Sequence, residues 1–174
     1  GAHVCHCPSA NLKLASGIAP IPEYLEMGIN VALGCDGAAC NNRMDAFTEM
    51  RLAALVHKPR RGPEAMGAAR VVELATIGGA TALGMQDQIG RLDVGMLADV
   101  IVVGLDGPHA WPAAGAGPAE RIVYASHATD VTDVVVDGRI TVRDGQLASG
   151  DLAAIRDAAE TARVDLLARA GLSF

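Results

Sequence analysis

Asp36 is the residue best placed to do chemistry. It follows an apolar run, Ile29 to Gly34, in the order Ile-Asn-Val-Ala-Leu-Gly, with Cys35 between. In parallel α/β folds the side chains at the C-terminal ends of strands build the active site. A carboxylate there could ligate a metal or act as a general base. It is followed by Gly37 and a polar loop with Cys40, Asn41 and Asn42. The same residues also suit an Asp-Gly turn, and local features alone favour the turn. His6 ends an earlier apolar stretch, with Ser9 and Asn11 close behind. If the two strands are parallel neighbours, both loops face one pocket. Ser9 and Asn11 could then orient a polar heterocycle or brace the loop. His6 suits a hydrogen-bonded core position equally well, and His3 reads as structural. His57, His109 and His127 are expected in separate contexts without ligand spacing.

These residues do not complete a site. A catalytic zinc takes three protein ligands and a water, yet the sequence has no H-x-H or H-E-x-x-H motif, nor a G-x-S-x-G elbow. Cys40 has no neighbour that would lower its pKa. Gly78 and Gly79 sit inside a helical pattern, which makes a poor phosphate loop. The four cysteines, Cys5, Cys7, Cys35 and Cys40, form no C-x-x-C pair. Cys5 and Cys7 are expected to point to opposite faces of their strand, unable to bridge. Free, buried thiols in a reducing cytoplasm are the expectation.

The elements that must position these residues alternate. Ala2 to Cys7 reads as a strand and Pro8 to Gly17 as a loop. A helix follows, with Pro20 or Pro22 in its first turn and Gly28 past its end. The Ile29 to Gly34 strand is apolar without alternation, which suits burial on both faces. Cys35 to Asn42 reads as loop and Met44 to His57 as helix, with Met44, Phe47, Met50, Ala54 and Leu55 at helical spacing. Lys58 to Arg61 reads as a solvated loop. Ala65 to Leu83 is helical, interrupted at Gly78 and Gly79. Strands are then expected at Asp99 to Val103, Val131 to Val136 and Arg139 to Arg143, and 106–118 reads as loop. Asp137-Gly138 is a two-residue hairpin turn, and Asp144-Gly145 is another turn. Asp151 can cap a last helix with Leu152, Ile155, Ala159, Ala162 and Leu166 on one face.

Composition excludes some partners. The net charge is −6 across 174 residues, and no basic patch points to nucleic acid. No apolar run approaches the roughly 18 residues of a membrane span. The chain has no initiator Met and opens in strand-like sequence, so a C-terminal portion of a longer protein is expected. The expected location is the cytoplasm.

Five segments resemble one family in the right order. Residues 6–17, His-Cys-Pro-Ser-Ala-Asn-Leu-Lys-Leu-Ala-Ser-Gly, resemble the H-[CN]-P-x-S-N-x-[KR]-L-x-x-G segment of the amidohydrolase superfamily. The nearest group is its S-adenosylhomocysteine, methylthioadenosine and guanine deaminases with the triazine hydrolases. Residues 34–42 resemble that group's G-T-D-G-x-x-S-N-N, and residues 49–55 its E-M-R-x-A-x-L helix. Residues 75–84 resemble A-T-x-x-G-A-x-A-L-G, and residues 89–103 resemble I-G-S-L-E-x-G-K-x-A-D-L-I-V-x.

The resemblance implies an α/β fold: the C-terminal part of a (β/α)8 TIM-type barrel plus a small β-sandwich domain. Residues 1–88 would be the last two β/α units, 89–150 the C-terminal part of the sandwich, and 151–174 the closing helix. It implies one divalent metal, zinc or else iron. The ligands would be an H-x-H pair, a further His and the Asp ending the eighth strand. Only that Asp falls in this chain, at Asp36, so the isolated chain should be inactive. The metal would lower a water's pKa to ~7. Hydroxide would then remove an amino or chloro group from a nitrogen heterocycle such as a purine, pterin or triazine, with Asp36 relaying the proton. His6, Ser9, Asn11, Cys40 and Asn41 would bind substrate or support the loops. The full-length protein is expected to be a homo-oligomer acting on a small molecule, with no nucleic-acid or membrane partner.

Three positions depart from the family pattern: Cys35 replaces Thr, Cys40 replaces Ser, and Ala10 replaces the second Ser. Cys40 is expected near the substrate. The competing readings are a non-catalytic remnant and a cyclic-amide hydrolase of the same superfamily. Retention of Asp36 speaks against the first, and the loops at His6 and Asp36 favour the deaminase branch.

Overall fold

The computed structural model describes residues 1–112 and 115–172. The first half is built around two short parallel strands, β1 (Val4–His6) and β2 (Val31–Leu33). Their register pairs Val4 with Val31, Cys5 with Ala32 and His6 with Leu33. The pairing runs on one residue past both strands, where Gly34 N donates to His6 O at 2.9 Å. The two C-terminal ends therefore finish side by side, and the loops that follow leave from one edge.

Between the strands run α1 (Pro8–Lys13) and α2 (Ile21–Glu26). The expected loop at Pro8 to Gly17 is therefore helical in its first six residues. Pro8 sits at the first helical position, where its missing N–H costs nothing, and six residues are too few to show a period. The Cys35 to Asn42 loop also contains a helical turn, α3 (Ala38–Asn41), closed by Asn42 in the left-handed conformation at φ 70°.

Helix α4 (Ala46–Leu55) begins at Asp45. Asp45 Oδ1 accepts from Phe47 N at 3.0 Å, and its Oδ2 accepts from Thr48 Oγ1 at 2.7 Å. Met44 lies outside the helix at φ 50° and is exposed. Its apolar spacing misplaced the start, while the capping Asp one residue on marks it. Lys58 to Arg61, expected as loop, forms the single turn α5 (Lys58–Arg61). Its Arg60 and Arg61 reach Glu23 and Glu26 on α2.

The helical stretch after it keeps going. α6 (Ala68–Glu73) passes through a π-helical turn at Leu74–Gly78 into α7 (Gly79–Ala82). Rather than an interruption, Gly78 is a contact point. A Cβ on it would overlap the carbonyl oxygen of Val31, so only glycine lets this helix seat against β2. Asn30 Nδ2 also donates to Gly78 O at 3.1 Å.

The second half holds a four-stranded antiparallel sheet in the order β3-β4-β5-β6. The strands are β3 (Val100–Val103), β4 (Val131–Val136), β5 (Arg139–Arg143) and β6 (Gln146–Leu147). Asp137 and Gly138 both take positive φ, 48° and 75°, as a two-residue hairpin turn requires. Like the two-residue β6, α8 (Pro118–Tyr124), between β3 and β4, lies outside the expected elements. Its Val123 is 1% exposed and joins Ile21, Val31, Phe47, Met50, Val71 and Leu74 in the core. Fully burying each such aliphatic side chain contributes roughly 1.5–3 kcal/mol.

Helix α9 (Leu152–Arg169) starts at Asp151, whose Oδ1 accepts from Ala153 N at 2.8 Å. Its expected apolar face is not buried: Leu152, Ile155 and Leu166 are all exposed. No helix among the described residues is long and apolar enough to cross a membrane. Residues 113 and 114 of the expected loop, and 173 and 174 at the end, lie outside the described residues.

Gly78→Ala should lower stability by about 1–3 kcal/mol. Gly79→Ala, one residue on and in open space, should leave it unchanged or raise it by roughly 0.5–1 kcal/mol. Thermal melting of the two variants side by side checks this, and equal effects would refute the contact.

Candidate active site

Asp36 is an exposed side chain on the loop leaving β2. Its backbone is left-handed, φ 61°, a conformation that non-glycine residues adopt at a cost of roughly 1–2 kcal/mol. One carboxylate oxygen, Oδ1, accepts from Gly37 N at 2.6 Å. Cys40 is half-buried on α3, four residues on.

The loop is held by a residue the sequence did not single out for the site, Glu49. Its carboxylate, 1% exposed, sits on α4 beneath the ends of both strands. Oε1 accepts from Asn41 Nδ2 at 2.7 Å, and Oε2 accepts from Ser9 N at 3.1 Å. Asn41 Nδ2 also donates to Cys35 O at 2.7 Å, while its Oδ1 accepts from Arg43 N at 3.2 Å. One buried carboxylate thus ties the first turn of α1 to the loop around Asp36. Lys13, at the end of α1, adds a second tie to Ala39 O at 3.0 Å and to the Asn42 side chain.

The expected residues divide accordingly. Ser9 and Asn41 meet at Glu49, Ser9 through its backbone. His6 and Asn11 line a separate narrow cleft with Pro8, Leu12, Gly17, Ile18 and Val56, which has no room for water. His6 is 2% exposed, and neither ring nitrogen has a hydrogen-bond partner. Its ring centroid lies 5.7 Å from that of His57, so His57 is not in a separate context. Burial, with His57 adding to it, pushes the His6 pKa down to about 4. Burial first, and then Arg60, lowers His57 as well. Both rings are held neutral. His109 and His127 are also neighbours, with ring centroids 5.2 Å apart. Asp130 Oδ2 accepts from His127 N at 2.7 Å and pairs with His109 Nε2 at 2.9 Å.

The cysteines differ from expectation. Residues two apart on a strand share a face, and the Sγ atoms of Cys5 and Cys7 lie 3.9 Å apart. All four thiols are free, but Cys5 is exposed and the other three are half-buried. Burial, then the neighbouring Cys5, pushes the Cys7 thiol up to about 12. Burial, then Glu49, raises Cys35.

A parallel strand pair thus carries a carboxylate beyond one C-terminal end, with a buried brace tying the two loops that leave it. The family it belongs to follows from comparison: the amidohydrolase family profile matches residues 1–141, and the chain is a member of that family. It is 50% identical over 148 residues to a 5-methylthioadenosine/S-adenosylhomocysteine deaminase of Syntrophobacter fumaroxidans, covering 84% of this chain and 33% of the relative. A 5'-deoxyadenosine deaminase of Methanosarcina acetivorans is 43% identical, covering 97% and 38%. Among solved structures, a zinc-bound adenosine deaminase from Xanthomonas campestris superposes with a TM-score of 0.89 at 37% identity, covering 94% and 37%. Zinc-bound atrazine chlorohydrolase from Arthrobacter aurescens superposes at 0.84 and 31%, covering 92% and 36%. The chain therefore spans little more than a third of the length of the relatives it matches.

Two outcomes follow. Glu49→Ala should cost about 1.5–3 kcal/mol in urea unfolding, because a charge-assisted pair of bonds is lost. A double-mutant cycle with Asn41→Ala should show coupling of roughly 0.5–3 kcal/mol; strict additivity would break the brace. The second outcome concerns acid. As pH falls through 6.5, the unfolded chain protonates His6 while the folded chain resists until about 4. Stability should be full above the upper value and decline across that window, by about 3 kcal/mol from His6. Unfolding free energies at stepped pH should flatten there in His6→Gln.

Proposed function

We propose that the whole protein is a metal-dependent hydrolase that removes an amino group from a nitrogen heterocycle, with adenosine-type nucleosides the favoured substrates. In this reading residues 1–88 are the last two units of a (β/α)8 barrel. Residues 89–150 belong to a β-sandwich domain, and 151–174 form the closing helix. The observation that carries it is Asp36: an exposed carboxylate at a strand end, held in a left-handed turn over a buried brace. The deaminases are 43–50% identical to this chain and the triazine enzyme 31%, which favours amine over chloride as the leaving group.

The donor chemistry fits one divalent metal, with zinc favoured. A carboxylate oxygen is a zinc ligand, and Asp36 is open to solvent. Among the described residues no group of three His, Cys, Asp or Glu side chains could hold an ion, so the remaining ligands come from residues outside this chain. Such an ion, when bound, lowers the pKa of a water to about 7. Asp36 accepts a proton at its carboxylate and returns it to the leaving amine. Glu49 and Asn41 keep the loop in place while it does so. Cys40 stands on the substrate side of that loop. Ser9 and Asn11 support the neighbouring one, and His6 supports it from the core.

Asp36→Asn in the full-length protein should reduce deamination by about 10²–10⁴-fold and lower the bound metal per chain, with an unchanged circular dichroism spectrum. Steady-state assays over adenosine-type nucleosides, guanine, pterin and triazine substrates, with metal analysis, check both. Full activity in a metal-free preparation, or in the variant, would end the proposal.

A further inference from the structure

Arg43, Arg51, His109 and His127 line one open pocket of about 490 Å³ between α4 and the turn that follows α8. All four residues are exposed, and the two imidazole rings stand 5.2 Å apart. Among the described residues that line the pocket, none is Asp or Glu. The carboxylates that neighbour the four are already engaged. Asp45 caps α4 through Phe47 N and Thr48 Oγ1. It lies 3.7 Å from Arg43 Nη2, too far for a hydrogen bond. Asp130 is taken by His127 N and His109 Nε2. The arginines of α5, by contrast, are matched to Glu23 and Glu26. On a chain of net charge −6, a pocket lined by one sign of charge concentrates ions of the other.

We propose that this pocket is a binding site for a phosphoryl group, held by the guanidinium groups of Arg43 and Arg51 with His109 and His127 beside them. Arg51 Nη1 donates to Tyr124 O, which anchors its guanidinium. Five N–H donors belong to each such group, so donors remain for a ligand. The planar fork matches phosphate oxygens two at a time. The hydroxyl protons of Thr48 and Ser126 are committed to Asp45 Oδ2 and Arg121 O, which leaves recognition to the basic side chains. The volume exceeds that of a bare oxyanion, and Phe47 and Leu52 add apolar lining. The phosphoryl group can therefore arrive as free phosphate or on a small organic ester. The proposal does not depend on the hydrolase reading, because none of these side chains belongs to the Asp36 site.

Inorganic phosphate and ribose 5-phosphate are the probes, each titrated calorimetrically into the full-length, metal-loaded protein at low salt. The expected result is saturable binding of one phosphate per chain that weakens as sodium chloride is raised. Arg43→Gln and Arg51→Gln should each weaken it at least fivefold. Asp36→Asn, and Arg156→Gln on α9, should keep it. Tighter binding of the ester than of phosphate supports the site with an organic ligand, and equal binding supports it with the free ion. No binding of either probe would overturn the assignment, as would full binding in both arginine variants. Loss in Asp36→Asn would also overturn it, by placing the anion at the Asp36 site. If an arginine variant fails to fold, labelling of the native protein decides instead. Bound phosphate should slow phenylglyoxal modification of Arg43 and Arg51 but not of Arg156, read by peptide mass, and unchanged rates at both refute the site.

Discussion

The arrangement at the strand ends depends on one buried carboxylate. Glu49 is enclosed, so its two oxygens must find donors within the protein or carry a desolvation penalty of several kcal/mol. They find them on two different loops, at Ser9 N and Asn41 Nδ2. A helix that packs through Phe47, Met50, Ala53 and Ala54 thereby fixes where both loops can go. The core supplies the energy, and the carboxylate converts it into position.

The same logic runs from the opposite end of β2. Gly78 lies against the Val31 carbonyl, and Asn30 donates to Gly78 O. The strand is clamped by a helix near its start and by the Glu49 brace beyond its finish. With only three residues between, Asp36 inherits little freedom. His6 and His57 add a further constraint. They pack ring to ring, and both nitrogens of His6 and Nε2 of His57 are buried without a hydrogen-bond partner.

Much of this was legible in the sequence where a residue type has one physical use. Asp137-Gly138, Asp144-Gly145, the Asp151 cap and the non-alternating, largely apolar run Ile29 to Gly34 each led to the observed element. Legibility failed where elements were short or where contacts run between distant segments. Six-residue α1 and seven-residue α8 carry too few turns to show a period, although Pro8 and Pro118 at their first positions were available signals. Asp45 caps α4, so the helix starts two residues after the apolar Met44 that shares its spacing. Glu49 entered only through its resemblance to a family helix, because nothing local says that a glutamate on an amphipathic helix will be the one turned inward. The strand period of two puts Cys5 and Cys7 on one face, against the expectation of opposite faces.

The left-handed backbone at Asp36 sets durability against use at a single position. Glycine would occupy φ 61° without the side-chain penalty that a carboxylate-bearing residue incurs. Selection for heat tolerance alone would therefore drift this site toward glycine and erase the carboxylate proposed to hold the hydrolytic metal. Variants recovered from such a selection would be tougher and chemically silent, which is the usual tension between a strained site and its scaffold.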